Sequence, residues 1–450
     1  MGQKLLNPKI GVPVLITVVA CMVPIAAYFP QLETSIGFDL LLPKGAASAK
    51  CFDQMGEAFG EGTLSPYKLM FVSRNGTGID EETFLVIDRV LDQLVTLDAT
   101  PNRTAFTGIA QLGTNKVGIT EYNNAFDLYN SPIGCAGDGV MEDACRTLVA
   151  IASVSNSEDE TATYLTTILN VDPFSNEGTQ WLVDARDIAE ATDTGRYDVY
   201  LVDGAGAEYD AVKVVYDVFP IMITATLATV FVLMGVFFRS IVVPIRSVFS
   251  ISLTLAWVYG LAVLVYQKVR GQRGEASTSN THASLEPLLS SSRLPPLFTP
   301  RLWLTLAPIA QGILTWTGLS CFQQTDYISW LPPVMTFSII VGLGLDYDVF
   351  LISRVLEFRE EAYTDNSSVL KGLYKTGGII TAAGIIMAVA FSGLLMSGEL
   401  LLNQTAFCLV AAVLVDTFIV RTVLVPILLG FTGSKSWYPR KLPEARIDLE

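Results

Sequence analysis

Val341-Gly342-Leu343-Gly344-Leu345-Asp346-Tyr347-Asp348-Val349-Phe350-Leu351-Ile352-Ser353-Arg354 decides how the chain is read. The residues before it, 334–341, are apolar apart from Thr336 and Ser338. Two carboxylates and a phenol therefore fall late in a stretch that otherwise reads as membrane-spanning. An ionisable side chain at membrane depth costs a few kcal/mol or more and is usually retained for moving ions or substrate. Gly342 and Gly344 remove side chains just ahead of Asp346, which lets a neighbouring helix approach and leaves room for water. Desolvation pushes a carboxylate toward its protonated form, and a phenol can hold or relay its hydrogen bond. Asp346 and Tyr347 are accordingly expected to work as a proton pair, with Asp348 as a second acidic site. The competing reading places Asp346 and Asp348 at the membrane boundary, paired to Arg354 or Arg359. The three apolar residues Phe350-Leu351-Ile352 still to come speak against it for Asp346.

Working outward, the chain has 450 residues, 51% of them hydrophobic and only 16% charged. That is too apolar for an ordinary soluble domain. A span needs ~20 mainly apolar residues. Six stretches qualify: Ile10–Phe29, Asp217–Phe238, Ile241–Tyr266, Pro333–Arg354, Thr376–Ser397 and Thr405–Phe431. The first lacks a clear small-x-small cleavage site and reads as an uncleaved anchor rather than a signal peptide.

Charge is unevenly placed. The net is −15, yet residues 31–216 hold 29 acidic and 11 basic residues, a net of −18. That segment is expected to be a solvated domain, and its lack of clustered Lys and Arg argues against nucleic acid. The membrane flanks are basic: Lys4 and Lys9, Arg239 and Arg246, Arg354, Arg359, Lys371 and Lys375, then Lys435, Arg440 and Lys441. With six spans they share one face, which the charge rule makes cytosolic. Both termini are then cytosolic and the acidic domain extracytosolic.

Residues 267–301 are rich in Ser, Gly, Pro and Arg and read as a low-complexity insertion. Residues 302–332 read as an interfacial or re-entrant segment, because a seventh span at 302–321 would invert the later helices. The basic residues of the insertion then lie outside, against the charge rule.

Inside 31–216, Tyr67–Ser73 alternates like a strand and Asp80–Leu97 has helical spacing. Thr163–Val171 reads as a strand, Asn176–Ala191 as a helix capped by Asn176, and Tyr197–Val202 as a strand. Strands and helices alternate, as in a compact α+β module. Residues 115–159 are less periodic. Gly206–Val215 is expected to run as helix into the second span. Cys135 and Cys145 bracket a Gly-rich loop and are a disulfide candidate in an oxidising compartment, and Cys51 with Cys321 is a further possible pair. Asn75 and Asn102 open glycosylation sequons, relevant only in a eukaryotic host.

Farther along, Asp416 lies within an apolar run and is followed by Arg421. Five residues turn an ideal α-helix through ~140°, so the two are expected on different faces, Arg421 as a cytosolic flank like Arg354 and Asp416 toward the interior shared with Asp346. Gly377-Gly378 and Ala382-Ala383-Gly384 are expected to offer smooth packing faces. The only histidine is His282. No Cys/His metal cluster and no Ser/His/Asp set can be assembled, so neither a metal, a cofactor nor an enzyme is expected. The Gly342-x-Gly344 pair lacks the third glycine of a nucleotide loop.

Three stretches together resemble the MmpL branch of the RND superfamily. Gly342 to Arg354 is similar to that branch's membrane motif. Val236-Phe237-Phe238-Arg239-Ser240-Ile241-Val242-Val243-Pro244 resembles its join between second and third helices. Val415-Asp416-Thr417-Phe418-Ile419-Val420-Arg421-Thr422-Val423-Leu424-Val425-Pro426 resembles its last helix, with Trp437-Tyr438-Pro439 beyond. The resemblance implies a membrane α-helical bundle of six transmembrane helices with an inserted extracytosolic α+β porter-like domain. Its divisions are 1–30 (first helix), 31–216 (porter-like domain), 217–266 (second and third helices), 267–301 and 302–332 as above, 333–431 (fourth to sixth helices) and 432–450 (cytosolic tail). It further implies export of lipids or other hydrophobic molecules driven by protons, in a plasma membrane or endomembrane. Asp346 and Tyr347 would then be the relay pair, with Asp348 and Asp416 alongside and Gly342 and Gly344 packing the relay. Family members usually carry two such halves. This chain resembles one, the C-terminal, and is expected to pair with a second copy or another half. In a homodimer Asp346 of one copy would face Tyr347 of the other. The alternatives are a sterol-sensing-like receptor of the same fold or an incomplete half of a longer transporter.

Overall fold

The computed structural model describes residues 8–37, 43, 46–100, 102–131, 134, 135, 140–267, 322 and 327–448. The insertion expected at 267–301, the segment 302–321 and the Cys51–Cys321 pairing lie essentially outside the described residues.

Along the chain, helix α1 (Pro8–Ala26) is followed by strand β1 (Thr34–Ser35), helix α2 (Ala47–Phe59) and strand β2 (Tyr67–Ser73). Next come α3 (Glu81–Leu94), the short strands β3 (Phe106–Thr107), β4 (Gln111–Leu112) and β5 (Asn115–Lys116), then α4 (Ile119–Asn130), α5 (Val140–Ser155) and β6 (Ala162–Thr167). The run continues with α6 (Asn176–Ala191), β7 (Tyr197–Asp203), α7 (Gly206–Phe238), α8 (Val242–Tyr266), β8 (Ile328–Ser329), α9 (Leu331–Glu360), α10 (Asp365–Ser392) and α11 (Leu400–Val415). A π-helical segment, Asp416–Leu424, then leads into α12 (Val425–Thr432).

The chain divides into two compact units, residues 36–39 with 45–216 and the remainder. The first is built on a four-stranded sheet in the order β3-β6-β2-β7, all neighbours antiparallel. With α3 after β2 and α6 after β6, this is the split βαβ plan. Period-2 patterning decides its core: Tyr67, Leu69 and Phe71 of β2 are buried on one face while Lys68, Met70 and Val72 are not. Against that face α3 presents Val86, Ile87, Val90, Leu91 and Leu94, and α6 presents Trp181, Leu182 and Ala185. Burial pushes the Tyr67 hydroxyl up to about 12.

Caps set the helix starts. Asp80 accepts from the Thr83 amide at 3.2 Å while its own amide donates to Thr83 Oγ1 at 3.0 Å, a reciprocal capping box. Ser175, not Asn176, caps α6: its backbone is extended and its Oγ accepts from the Gly178 amide at 3.1 Å, so Asn176 is already helical. The weakly periodic middle holds two helices, α4 and α5. Cys145 on α5 is joined to Cys135 by a disulfide, with Cα atoms 5.7 Å apart. The β6 strand ends at Thr167, short of the expected Val171, because residues 168–171 leave the sheet.

Among the described residues, six helices are long and apolar enough to cross a membrane, spanning Lys9–Gln31, Gly206–Phe238, Val242–Tyr266, Leu331–Glu360, Asp365–Met396 and Leu400–Trp437, and apart from the start of the second they belong to the second unit. Large apolar side chains stand exposed along them, among them Val236, Phe237, Ile386 and Val389. In water such a surface would drive association; in lipid it is the expected exterior. α8 is the most enclosed of the helices between its neighbours, with Trp257, Val258 and Tyr266 fully buried. The Tyr259 hydroxyl donates to the Pro333 carbonyl at 2.9 Å, fixing α8 against the start of α9.

Asp80 carries both the cap and an ion pair to Arg196. Burial raises its carboxyl, but the Arg196 guanidinium and the Thr83 amide outweigh it and hold Asp80 below the usual carboxylate range. A depressed folded pKa stabilises above the unfolded value of ~3.9 and stops doing so as pH falls through the folded one. Asp80→Ala is therefore expected to cost about 1 kcal/mol at pH 7. The difference between the two proteins in chemical denaturation should shrink as pH is lowered below ~4; a pH-independent difference would exclude the ionic part.

Candidate functional site

The motif at 341–354 lies wholly within α9, so side chains four apart stack on one face. Gly344 and Asp348 are both buried there, whereas Gly342 and Asp346 are exposed on the opposite side. A Cβ on Gly344 would stand 3.2 Å from Ile251 of α8, so the missing side chain is what lets α8 close on α9. Gly342 has no atom within 4 Å of where its Cβ would be, and neither has Gly377 or Gly378. The packing role expected of these three is therefore not met among the described residues. Gly384 does meet it: a Cβ there would collide with Thr417.

The centre of the site is Arg421, 1% exposed. Its Nε donates to Asp416 Oδ2 at 2.7 Å and its Nη1 to Asp348 Oδ1 at 3.0 Å. Its Nη2 donates to the Gly344 carbonyl and, at 3.5 Å, to Asp416 Oδ1. The guanidinium carbon also lies 5.0 Å from the centre of the Tyr347 ring, in cation–π range. One fork of donors thus binds two carboxylates, a backbone carbonyl and an aromatic face.

This corrects two expectations. Arg421 is not a flank but the buried core of the site, and it shares a face with Asp416. The reason is the π-helical segment: i→i+5 closure brings the fifth residue back over the first, where an α-helix would carry it ~140° away. Arg246 is a third departure. Read as a basic flank, it is 7% exposed inside α8.

Asp346 makes no hydrogen bond or ion pair among the described residues. The Tyr347 hydroxyl lies 3.9 Å from Met387 Sδ. A small cavity of about 10 Å³, close to the space of one water, is lined by Gly344, Tyr347, Asp416, Thr254 and Ile251 among others. Asp348 and Asp416 therefore come together through Arg421, with Tyr347 beside them, while Asp346 stays outside the cluster. Arg354 is exposed and pairs with Glu357 at 2.6 Å; Arg359 is buried against Asp365 at 2.8 Å and the Pro443 carbonyl at 2.9 Å. Neither meets Asp346 or Asp348. Asn75 and Asn102 are exposed on the α+β unit.

A sequence model of the MMPL family matches residues 40–285 and 305–447. Over 267 residues, 59% of the chain, it is 25% identical to membrane protein YdfJ of Bacillus subtilis. Over 112 residues, 25% of the chain, it is 40% identical to the acyltrehalose exporter MmpL10 of Mycobacterium tuberculosis. Over 134 residues, 30% of the chain, it is 39% identical to the sulfolipid-1 exporter MmpL8 of the same organism. The matched stretches cover 31%, 11% and 12% of those proteins, so the chain spans less than a third of the relatives it matches.

Removing the shared cation takes from two buried carboxylates the guanidinium that both hold in this structure. Arg421→Met is expected to destabilise the helical unit by about 3–5 kcal/mol. Arg421→Lys, a point charge without the fork, should fall between the two. Thermal unfolding in detergent or nanodiscs measures both; an unchanged melting temperature for Arg421→Met would remove Arg421 from the centre of the packing.

Proposed function

The chain belongs to the MMPL family, and from that premise we propose that it acts within a membrane transporter that exports lipids or other hydrophobic molecules, driven by the proton gradient. The observation that carries the reading is the Asp348–Arg421–Asp416 cluster, buried between helices of membrane-spanning length. A charge cluster at that depth is costly and adds little stability over an apolar core, so its presence favours use over packing.

In this reading Asp348 and Asp416 exchange protons, and Arg421 reports their charge. With both ionised, the guanidinium is held by two anions. Protonating one weakens its hold on that side and lets the π segment shift relative to α9. Tyr347 supplies a hydroxyl beside the cluster, and the one-water cavity between Tyr347 and Asp416 offers a proton a hydrogen-bonded step. Asp346, exposed on the same face of α9 as the bare Gly342, is the group that a second half would cover. A second copy or a separate half sets Asp346 against that partner's helices, and the relay is completed across the junction. The α+β unit between the first two spans is the extracytosolic porter-like part that carries the hydrophobic substrate, and both termini lie in the cytosol. The relatives named as lipid exporters support the substrate class.

The test is efflux of a fluorescent lipid from proteoliposomes with and without an imposed proton gradient. Asp346→Asn keeps the shape and, being at an exposed position, should leave the melting temperature unchanged. It is expected to lower gradient-driven efflux by about a hundredfold or more. Efflux that survives Asp346→Asn in a folded protein would sink the relay assignment.

A further inference from the structure

Arg246 is a buried guanidinium for which nothing above accounts. Its Nε, Nη1 and Nη2 have no hydrogen-bond partner among the described residues. An unpaired buried guanidinium costs several kcal/mol. Among the described residues Asp348 Oδ2, the oxygen that Arg421 does not bind, is a buried acceptor likewise without a hydrogen-bond partner.

The helix register brings the two level. Tyr259 of α8 touches Pro333 and Thr336 of α9, and Ile251 faces Gly344. As numbers fall along α8 they rise along α9, so the two helices run antiparallel. Five residues before Ile251 is Arg246; four residues after Gly344, one helical turn, is Asp348. Arg246 also interacts electrostatically with both Asp348 and Arg421.

We infer that Arg246 is the second cation of this cluster and the alternate partner of Asp348. Two arginines and two aspartates then make a neutral set with two pairings. In the one observed, Arg421 holds both carboxylates. In the other, Arg421 keeps Asp416 and Arg246 takes Asp348 through its free oxygen, so every charge has one partner. A long, flexible arginine side chain suits such a change of partner, and the desolvation cost is lower when each charge is matched. Arg246 is thus a positioning residue for Asp348. This deepens the relay reading above, since a second partner keeps Asp348 paired when Arg421 moves away.

The experiment is a double-mutant cycle of Arg246→Gln and Asp348→Asn, read as the melting temperature of the full chain in lipid nanodiscs. The expected result is strong non-additivity: each single change lowers the melting temperature, and the double variant melts no lower than the weaker single. Additive losses would overturn the inference. If either single variant fails to accumulate, accumulation of the neutral double variant supports the pairing and its failure to accumulate overturns it. Arg246→Lys separates charge from bulk: it should keep most of the coupling to Asp348, and losing all of it would speak for packing alone. The readout does not depend on transport. Coupling without gradient-driven efflux would retire the relay and keep the pairing, and efflux without coupling would do the reverse.

Discussion

One guanidinium between two carboxylates governs the helical unit. Arg421 has to reach Asp416 within its own segment and Asp348 on a different helix, and both contacts are made with almost no water exposure. In that environment a lost partner is far more costly than a retained one is beneficial, so the neighbouring backbone is constrained to keep all three together. Gly344 answers part of the constraint twice. Its carbonyl accepts from Arg421, and its missing side chain lets Ile251 of α8 come close. Gly384 answers it from the other side, allowing α10 to lie against Thr417 inside the π segment.

The two units solve the burial problem in different solvents. The α+β unit faces water, so it relies on a period-2 sheet, capped amphipathic helices and surface ion pairs such as Arg103 with Asp88 and Asp92. Such pairs contribute little each, and the apolar contact of Phe71, Ile87, Leu91 and Trp181 carries the fold. The helical unit lacks a hydrophobic gradient toward lipid. It depends on close approach at small residues and on polar contacts such as Tyr266 to the Asn403 carbonyl at 3.2 Å, and Ser329 to Gln404 at 2.9 Å.

What could be read from the sequence followed from period and hydropathy. The six apolar runs, the strand at Tyr67–Ser73 and the helix at Asn176–Ala191 are local signals, and local signals survive folding. The middle of the α+β unit was less legible because half of α4 is polar and the loop between α4 and α5 is glycine-rich, which dilutes the 3.6-residue pattern. The site was half legible. Asp346, Tyr347, Asp348 and Asp416 stand out as charges and a phenol in apolar surroundings. Which of them meet does not, since that depends on a helix departing from α geometry at Asp416–Leu424, and an ideal-helix wheel puts Arg421 on the wrong face. Arg246 misleads for the opposite reason: near a helix end a basic residue normally marks the interface, and only the packing of α8 reveals it as interior.

The wider turn at Asp416–Leu424 also bears on how this sequence tolerates changes in length. A π segment amounts to one residue more than an α-helix would need for the same span. Deleting a single residue between Asp416 and Arg421 would leave the pair four apart, a spacing that an ordinary α-helix also stacks on one face. The ion pair could then survive in a plain helix. The residues beyond, from Leu424 through the buried Val425, Pro426 and Ile427, would stay aligned with their neighbours. A one-residue gap is therefore tolerable at this one place in the last span, while elsewhere along it the same gap would rotate the buried face toward lipid.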